Sequence, residues 1–293
     1  TLEKVSLDNG SNWSNLIAGT VTLAGEGASI ENKQVLLSYS NGSELQYTLK
    51  ELPLENDGVT ISPSLTTINK GEYYTHYSTN TSIVNPLRLN HFLTIENGGV
   101  LQVNGNNQSG FSIGYMGTGD LQVNTGGVFL NSTYCSYHGY VYNNNQPSKS
   151  TINVNGGLMK VNAGWGFGGG FVESYYSSNT VSWDFIVQNK GKVSVNCQLF
   201  MNGWRFVGSL NVHANGSIEL VEGYLSINFS SSFFGLNDSD DVNSEVLGEI
   251  KIYPNQTIML QVKPFSSYED NFNQLTRVYR SNSATATSGI YYN

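Results

Sequence analysis

The chain has 293 residues and a formal net charge of −8, from 14 Lys+Arg against 22 Asp+Glu. An acidic chain with so few cations is poorly suited to bind nucleic acid or an anionic membrane surface. Its 32 Gly and 18 Tyr, with plentiful Val, Ile, Thr and Phe, are typical of an all-β protein rich in turns. No apolar run of about 18 residues occurs, so we expect no transmembrane segment.

The N-terminal part carries ordinary strand and turn signals. The stretches QVLLSYS (34–40) and LQYTLKEL (45–52) alternate as strands do, and PLENDG (53–58) is typical of a turn. We assign residues 1–70 to an N-terminal cap and the first coils of a repeating structure.

The repeat itself is clearest over 93–131, where one phrase occurs twice. Alternate positions are apolar on both sides of a Gly-containing turn, which predicts two short strands per copy. Anchors for this turn occur at eight places, the last of them degenerate: Gly27, Gly71, Gly99, Gly127, Gly157, Gly191, Gly216 and Gln256.

Anchors that recur about every 28 residues and tolerate insertions between them are typical of a solenoid. Turns such as Asn97-Gly98-Gly99 and Asn155-Gly156-Gly157 place Asn and Gly where φ is expected to be positive. The sequence therefore predicts an all-β fold, a right-handed parallel β-helix with irregular β caps at both ends. Residues 71–264 would form the β-helix, and residues 265–293 a C-terminal cap or linker.

Aromatic residues crowd the two segments that lengthen the coils after Gly127 and Gly157. Because these coils are neighbours, their loops could form one Tyr/Trp patch of the kind on which sugars stack. An aromatic stack inside the rod explains the same residues. The candidate ligand-binding residues are Tyr137, Tyr140, Tyr142, Trp165, Tyr175 and Tyr176.

Cys135 and Cys197 are the only two cysteines. Counted from their anchors they lie two coils apart, about 9.6 Å, whereas a disulfide needs Cα atoms within about 7 Å. We expect no disulfide and two buried free thiols.

Two carboxylates share one offset, seven residues before an anchor: Asp120 and Asp184, with Ser150 at the same offset between them. At about 9–10 Å they could just fit an inverting glycosidase pair. The four histidines share no offset, and surface strand starts explain both Asp residues equally well. We therefore predict no catalytic residues and no enzyme.

Two further motifs lack the context their chemistry needs. Asp238, Asp240 and Asp241 could hold Ca²⁺, but the EF-hand spacing fails and a solvated loop is the simpler interpretation. Gly164–Gly169 satisfies G-x-G-x-x-G, yet no helix pattern follows, which favours a Gly-rich corner between coils. We expect neither a metal nor a cofactor.

The segment 111–127, FSIGYMGTGDLQVNTGG, resembles the Gly-rich repeats of secreted surface passengers, including autotransporter passengers, which fold as right-handed β-helices. The resemblance is good over about 93–195. The Asn-, Ser- and Tyr-rich composition, with ten N-x-Ser/Thr sequons, is similar to that of yeast adhesin-like cell-wall proteins.

These resemblances imply the ligand-binding region of a cell-surface adhesin, extracellular or in the cell wall. It would be non-catalytic and monomeric, and would attach to host or neighbouring cells through a surface ligand such as a carbohydrate. Two alternatives stay open: a polysaccharide lyase or glycoside hydrolase on a β-helix scaffold, and a structural wall or matrix protein.

Overall fold

The computed structural model describes the parts of the chain that carry the repeat most completely. The described residues are 2–6, 14–15, 33–78, 85–106, 109–141, 148–164, 166–172, 181–201, 206–213, 215–222, 224–228, 245–246, 249–252, 257–261, 278–280 and 289–292. No helix occurs among them, and their strands, numbered in chain order, form three sheets.

Sheet I has 13 strands and runs the length of the described structure. Its strands are β1 (Leu2–Ser6), β2 (Ser14–Asn15), β3 (Gln34–Tyr39), β4 (Glu44–Glu51), β6 (Glu72–Ser78), β9 (Val100–Gly105), β12 (Val128–Ser132), β15 (Leu158–Val161), β18 (Lys192–Asn196), β21 (Ser217–Glu222), β24 (Glu249–Ile252), β26 (Val278–Arg280) and β27 (Gly289–Tyr292).

Sheets II and III have seven strands each. Sheet II consists of β7 (Leu87–Leu89), β10 (Gly110–Tyr115), β13 (Cys135–Val141), β16 (Gly166–Val172), β19 (Gln198–Met201), β22 (Tyr224–Asn228) and β25 (Thr257–Gln261). Sheet III consists of β5 (Thr67–Ile68), β8 (Phe92–Ile95), β11 (Thr118–Asn124), β14 (Ser148–Asn155), β17 (Val181–Gln188), β20 (Phe206–Val212) and β23 (Glu245–Val246).

From β5 onward the chain visits the sheets in a fixed order, III, I, II, and each strand pairs in parallel with its equivalent one coil later. In sheet I the residues in register are Val100, Val128, Leu158, Lys192, Ser217 and Glu249, which are 28, 30, 34, 25 and 32 residues apart. This arrangement confirms the predicted parallel β-helix with coils of about 28 residues.

One predicted anchor is wrong. Ser217 pairs with Glu249, so the coil after Gly216 is counted from position 248 rather than from Gln256. Ile258, which the Gln256 anchor placed in the same sheet as Ile252, instead pairs with Leu225 in sheet II. The degenerate phrase spans two sheets, and its apolar pair therefore imitates the repeat without sharing its turn.

The turns between sheets III and I have the predicted backbone. Gly98, Gly126 and Gly156 have φ of 77°, 80° and 79°, and the next turn places Asn189 and Lys190 at 53° and 69°. Gly98 N–H donates to the Gly126 carbonyl (2.9 Å), so this corner stacks on the same corner one coil later. Non-Gly residues at these angles are strained.

Inward-facing side chains form columns that continue from coil to coil. On sheet III one column contains Leu93, Leu121, Ile152 and Phe185, all at most 1% exposed. Equivalent columns from sheets I and II meet it, and the apolar interior is one continuous cluster. Burial of this cluster is the main term that stabilises the rod.

The N-terminal cap extends sheet I and closes one end of the interior. β3 and β4 form an antiparallel pair, and β4 continues in parallel onto β6. After β4 the chain crosses the open end, where Leu52, Ile61 and Leu65 are buried against the first coils. The turn predicted at 53–58 lies in this crossing, and Asp57 Oδ1 accepts from Thr60 N–H (2.8 Å) there.

Candidate functional site

The outer face of sheet III presents polar side chains in parallel columns. Strands β8, β11, β14 and β17 alternate strictly, so every second residue points out and aligns with its equivalent on the next rung. The outward positions, here called the amide face, are Phe92, Thr94, Glu96, Asp120, Gln122, Asn124, Thr151, Asn153, Asn155, Asp184 and Gln188.

The amides of this face are held by one another. Gln122 Nε2 donates to Asn124 Oδ1 (2.7 Å), and Asn124 Nδ2 donates to Glu96 Oε1 on the preceding coil (3.1 Å). Further along, Gln188 Nε2 donates to Asn153 Oδ1 (3.0 Å). These bonds fix the amide orientations, so the remaining donors and acceptors point outward in a set pattern.

One column of the amide face combines an aromatic ring with two carboxylates. Phe92, Asp120, Thr151 and Asp184 are in register on four successive rungs. The Phe92 ring is 51% exposed, which is unusual for so large an apolar side chain. Asp120 and Asp184 are half-buried and lie two rungs apart, about 9–10 Å.

The residue between the two carboxylates differs from the predicted one. Thr151 occupies the column, whereas Ser150 points inward and is 1% exposed. The cause is the turn after β14, which is one residue shorter than the turns after β11 and β17. Counting from the anchors therefore slips by one position on this rung alone.

Charges near this column are mixed. Lys149 is exposed in the adjacent column, on the Thr151 rung, and forms no ion pair with any described residue. Oδ1 of Asp120 is enclosed and has no hydrogen-bond partner among the residues that the structure describes. Such an acceptor is costly to leave unmatched.

The predicted aromatic patch is placed only in part. Tyr137 is 3% exposed and packs with Tyr115 and Cys135 in a second apolar cluster on sheet II. For Tyr140 the described structure gives the backbone alone, in β13. Three other members of the patch lie in segments outside the described residues, as does Trp165: Tyr142, Tyr175 and Tyr176. The interior-stack interpretation holds for Phe167 and Trp183, which are buried in the main core.

The cysteines are free and buried. Cys135 is in register with Gly166 and then Gln198, so Cys197 precedes the equivalent position two coils on. Burial raises the pKa of the Cys197 thiol to about 11, which keeps it protonated and unreactive at neutral pH.

The other two motifs offer no site in the described structure. The Gly-rich run enters strand β16 at Gly166, which is not the loop-to-helix geometry of a phosphate cradle. Asp238, Asp240 and Asp241 lie outside the described residues. Among the described residues no group of three or more His, Cys, Asp or Glu is placed to hold a metal.

A buried histidine escaped the sequence analysis. His138 occupies the inward column of sheet II in which Ile113 precedes it. Its Nδ1 lies 3.0 Å from Ser150 Oγ and its Nε2 lies 2.9 Å from the Asp184 carbonyl oxygen. The ring stacks edge-on against Trp183 at 5.7 Å. Burial lowers the pKa of His138 to about 3, so the ring is neutral in the folded protein.

In the part of the chain that the structure describes, no helix is long and apolar enough to cross a bilayer. Comparison with protein-family models, with curated proteins and with solved structures found no match.

Proposed function

We propose that this chain is the non-catalytic, ligand-binding region of a cell-surface adhesin, and that its ligand is a glycan. The observation that carries the proposal is the amide face, where an exposed ring stands in register with hydroxyl, amide and carboxylate groups. Sugars present an apolar face and a rim of hydroxyls, so their sites combine an aromatic platform with fixed donors and acceptors.

The rigid scaffold supports this role. The polar groups stand on strands rather than on loops, and the amides are oriented by their neighbours before any ligand arrives. Such preorganisation lowers the entropy cost of binding. Extracellular placement belongs to the same proposal, and the resemblance to surface passengers and adhesin-like wall proteins supports it.

A glycan array probed with the purified chain tests this proposal, with Phe92→Ala as the key variant. We expect bound glycans to be lost or weakened about three- to tenfold, because one stacking contact is removed. Tyr77→Ala is the matched control: Tyr77 is equally exposed, at 55%, but lies on sheet I. Absence of binding to every glycan, or equal effects of the two variants, would count against the amide face.

A second candidate function is favoured by one observation, the alignment of Asp120 and Asp184 in a single column. Their separation of about 9–10 Å is near the upper limit for an inverting glycoside hydrolase. Incubation with neutral and acidic polysaccharides, followed by assay of reducing ends, separates the candidates. Turnover that Asp120→Asn abolishes would replace the adhesin proposal with the hydrolase.

A further inference from the structure

The amide face is not electrically neutral. Three carboxylates point outward on it, Glu96, Asp120 and Asp184, and the exposed ammonium of Lys149 stands in the adjacent column. The whole chain adds a net charge of −8. Such a surface repels anionic polymers and attracts cationic ones.

The spacing of two of these carboxylates has a counterpart in sugar polymers. Asp120 and Asp184 face the same way, two rungs apart, with the hydroxyl-bearing Thr151 between them. In an extended β-1,4-linked chain each hexose advances by about one rung, and successive units are turned by half a turn. A given substituent therefore returns to the same side every second unit, close to the two-rung separation of about 9–10 Å.

From this match we infer that the amide face binds a β-1,4-linked amino-sugar polymer with free ammonium groups, extended along the axis of the β-helix. The inference rests on the glycan-binding function proposed above and names its ligand class. Alternate ammonium groups lie against Asp120 and Asp184, the intervening unit contacts Thr151, and the amide columns accept and donate to ring hydroxyls. Phe92 ends the row, where one further sugar stacks on its ring.

The test uses glucosamine oligomers of two to six units, either with free amines or fully N-acetylated. We measure their affinity for the purified chain by titration calorimetry at low and high salt. Free-amine oligomers should bind more tightly, with a step between two and three units, since the third unit reaches the second carboxylate. High salt should weaken them, because exposed ion pairs are screened.

Charge-only variants sharpen the test. Asp120→Asn and Asp184→Asn should each lower the affinity for free-amine oligomers about two- to fivefold, as loss of one exposed ion pair does. Lys149→Gln should raise it about twofold, because a competing cation leaves. Glu44→Gln, the same charge change at an exposed position of β4, is the matched control and should have no effect.

The outcomes separate the inference from the proposed function. Equal affinity for free-amine and N-acetylated oligomers, or no effect of Lys149→Gln, overturns the inference but leaves a glycan-binding function standing. Lys149 is exposed, so its variant stays informative even if an Asp variant folds poorly. If no sugar binds, here or on the array, the proposed function fails as well.

Discussion

His138 is the residue whose chemistry most affects stability. Its pKa in the folded chain is about 3 against an ordinary 6.5, so below pH 6.5 only the unfolded chain takes up the proton. Stability is complete above about pH 6.5 and is lost as the pH falls towards 3, by at most about 1.4 kcal/mol per pH unit. Urea unfolding between pH 7.5 and 4 measures this slope.

His138→Leu should flatten that slope, although it lowers stability at every pH because Ser150 loses a partner. His213, which is exposed, provides the control: His213→Gln should leave the slope unchanged. Parallel slopes in the native chain and His138→Leu would show that other groups govern the acid response.

At the scale of single elements, the turn between β17 and β18 is the one strained corner of the stack. Asn189 and Lys190 both have positive φ, the backbone of a two-residue turn that prefers Asn-Gly. Lys190→Gly should therefore raise the free energy of unfolding by about 0.5–1 kcal/mol, because glycine adopts this angle without strain.

Thermal unfolding followed by circular dichroism measures the change. Lys192→Gly is the matched variant, two residues on and inside strand β18, where glycine should destabilise by a similar amount. If both substitutions destabilise the protein, strain at Lys190 is not significant.

The strand and turn elements were largely predictable because their signals are local. Alternation over 93–131 and the Asn/Gly corners each need only a few neighbouring residues, and the structure has both. The column positions were less so. One missing residue in a turn moved Thr151 into the place assigned to Ser150, and a local pattern does not record such a slip.

The candidate site was harder to predict for a related reason. Asn124 and Asn153 are ordinary outward strand positions, and only the register of the coils makes them neighbours within one face. His138 was missed because a longer segment separates it from its anchor than separates Ile113 from the preceding one, although the two are paired. Repeat alignment across insertions, rather than composition, was the signal that could have found it.

At the scale of the whole molecule, the strands lie across the long axis, so the hydrogen bonds between coils point along it. A chain anchored at one end and pulled by its bound ligand would therefore load these bonds in series. Each coil that peels away gives up about 4.8 Å of rod and releases about 28 residues, or roughly 100 Å of extended chain.

Such a rod would lengthen stepwise under tension and dissipate work before the attachment breaks. Force spectroscopy should record successive extensions whose sizes follow coil lengths of 25 to 34 residues. One all-or-none extension would show that the coils fail together. The uneven coil lengths, which obscure the repeat in the sequence, would then identify each coil as it yields.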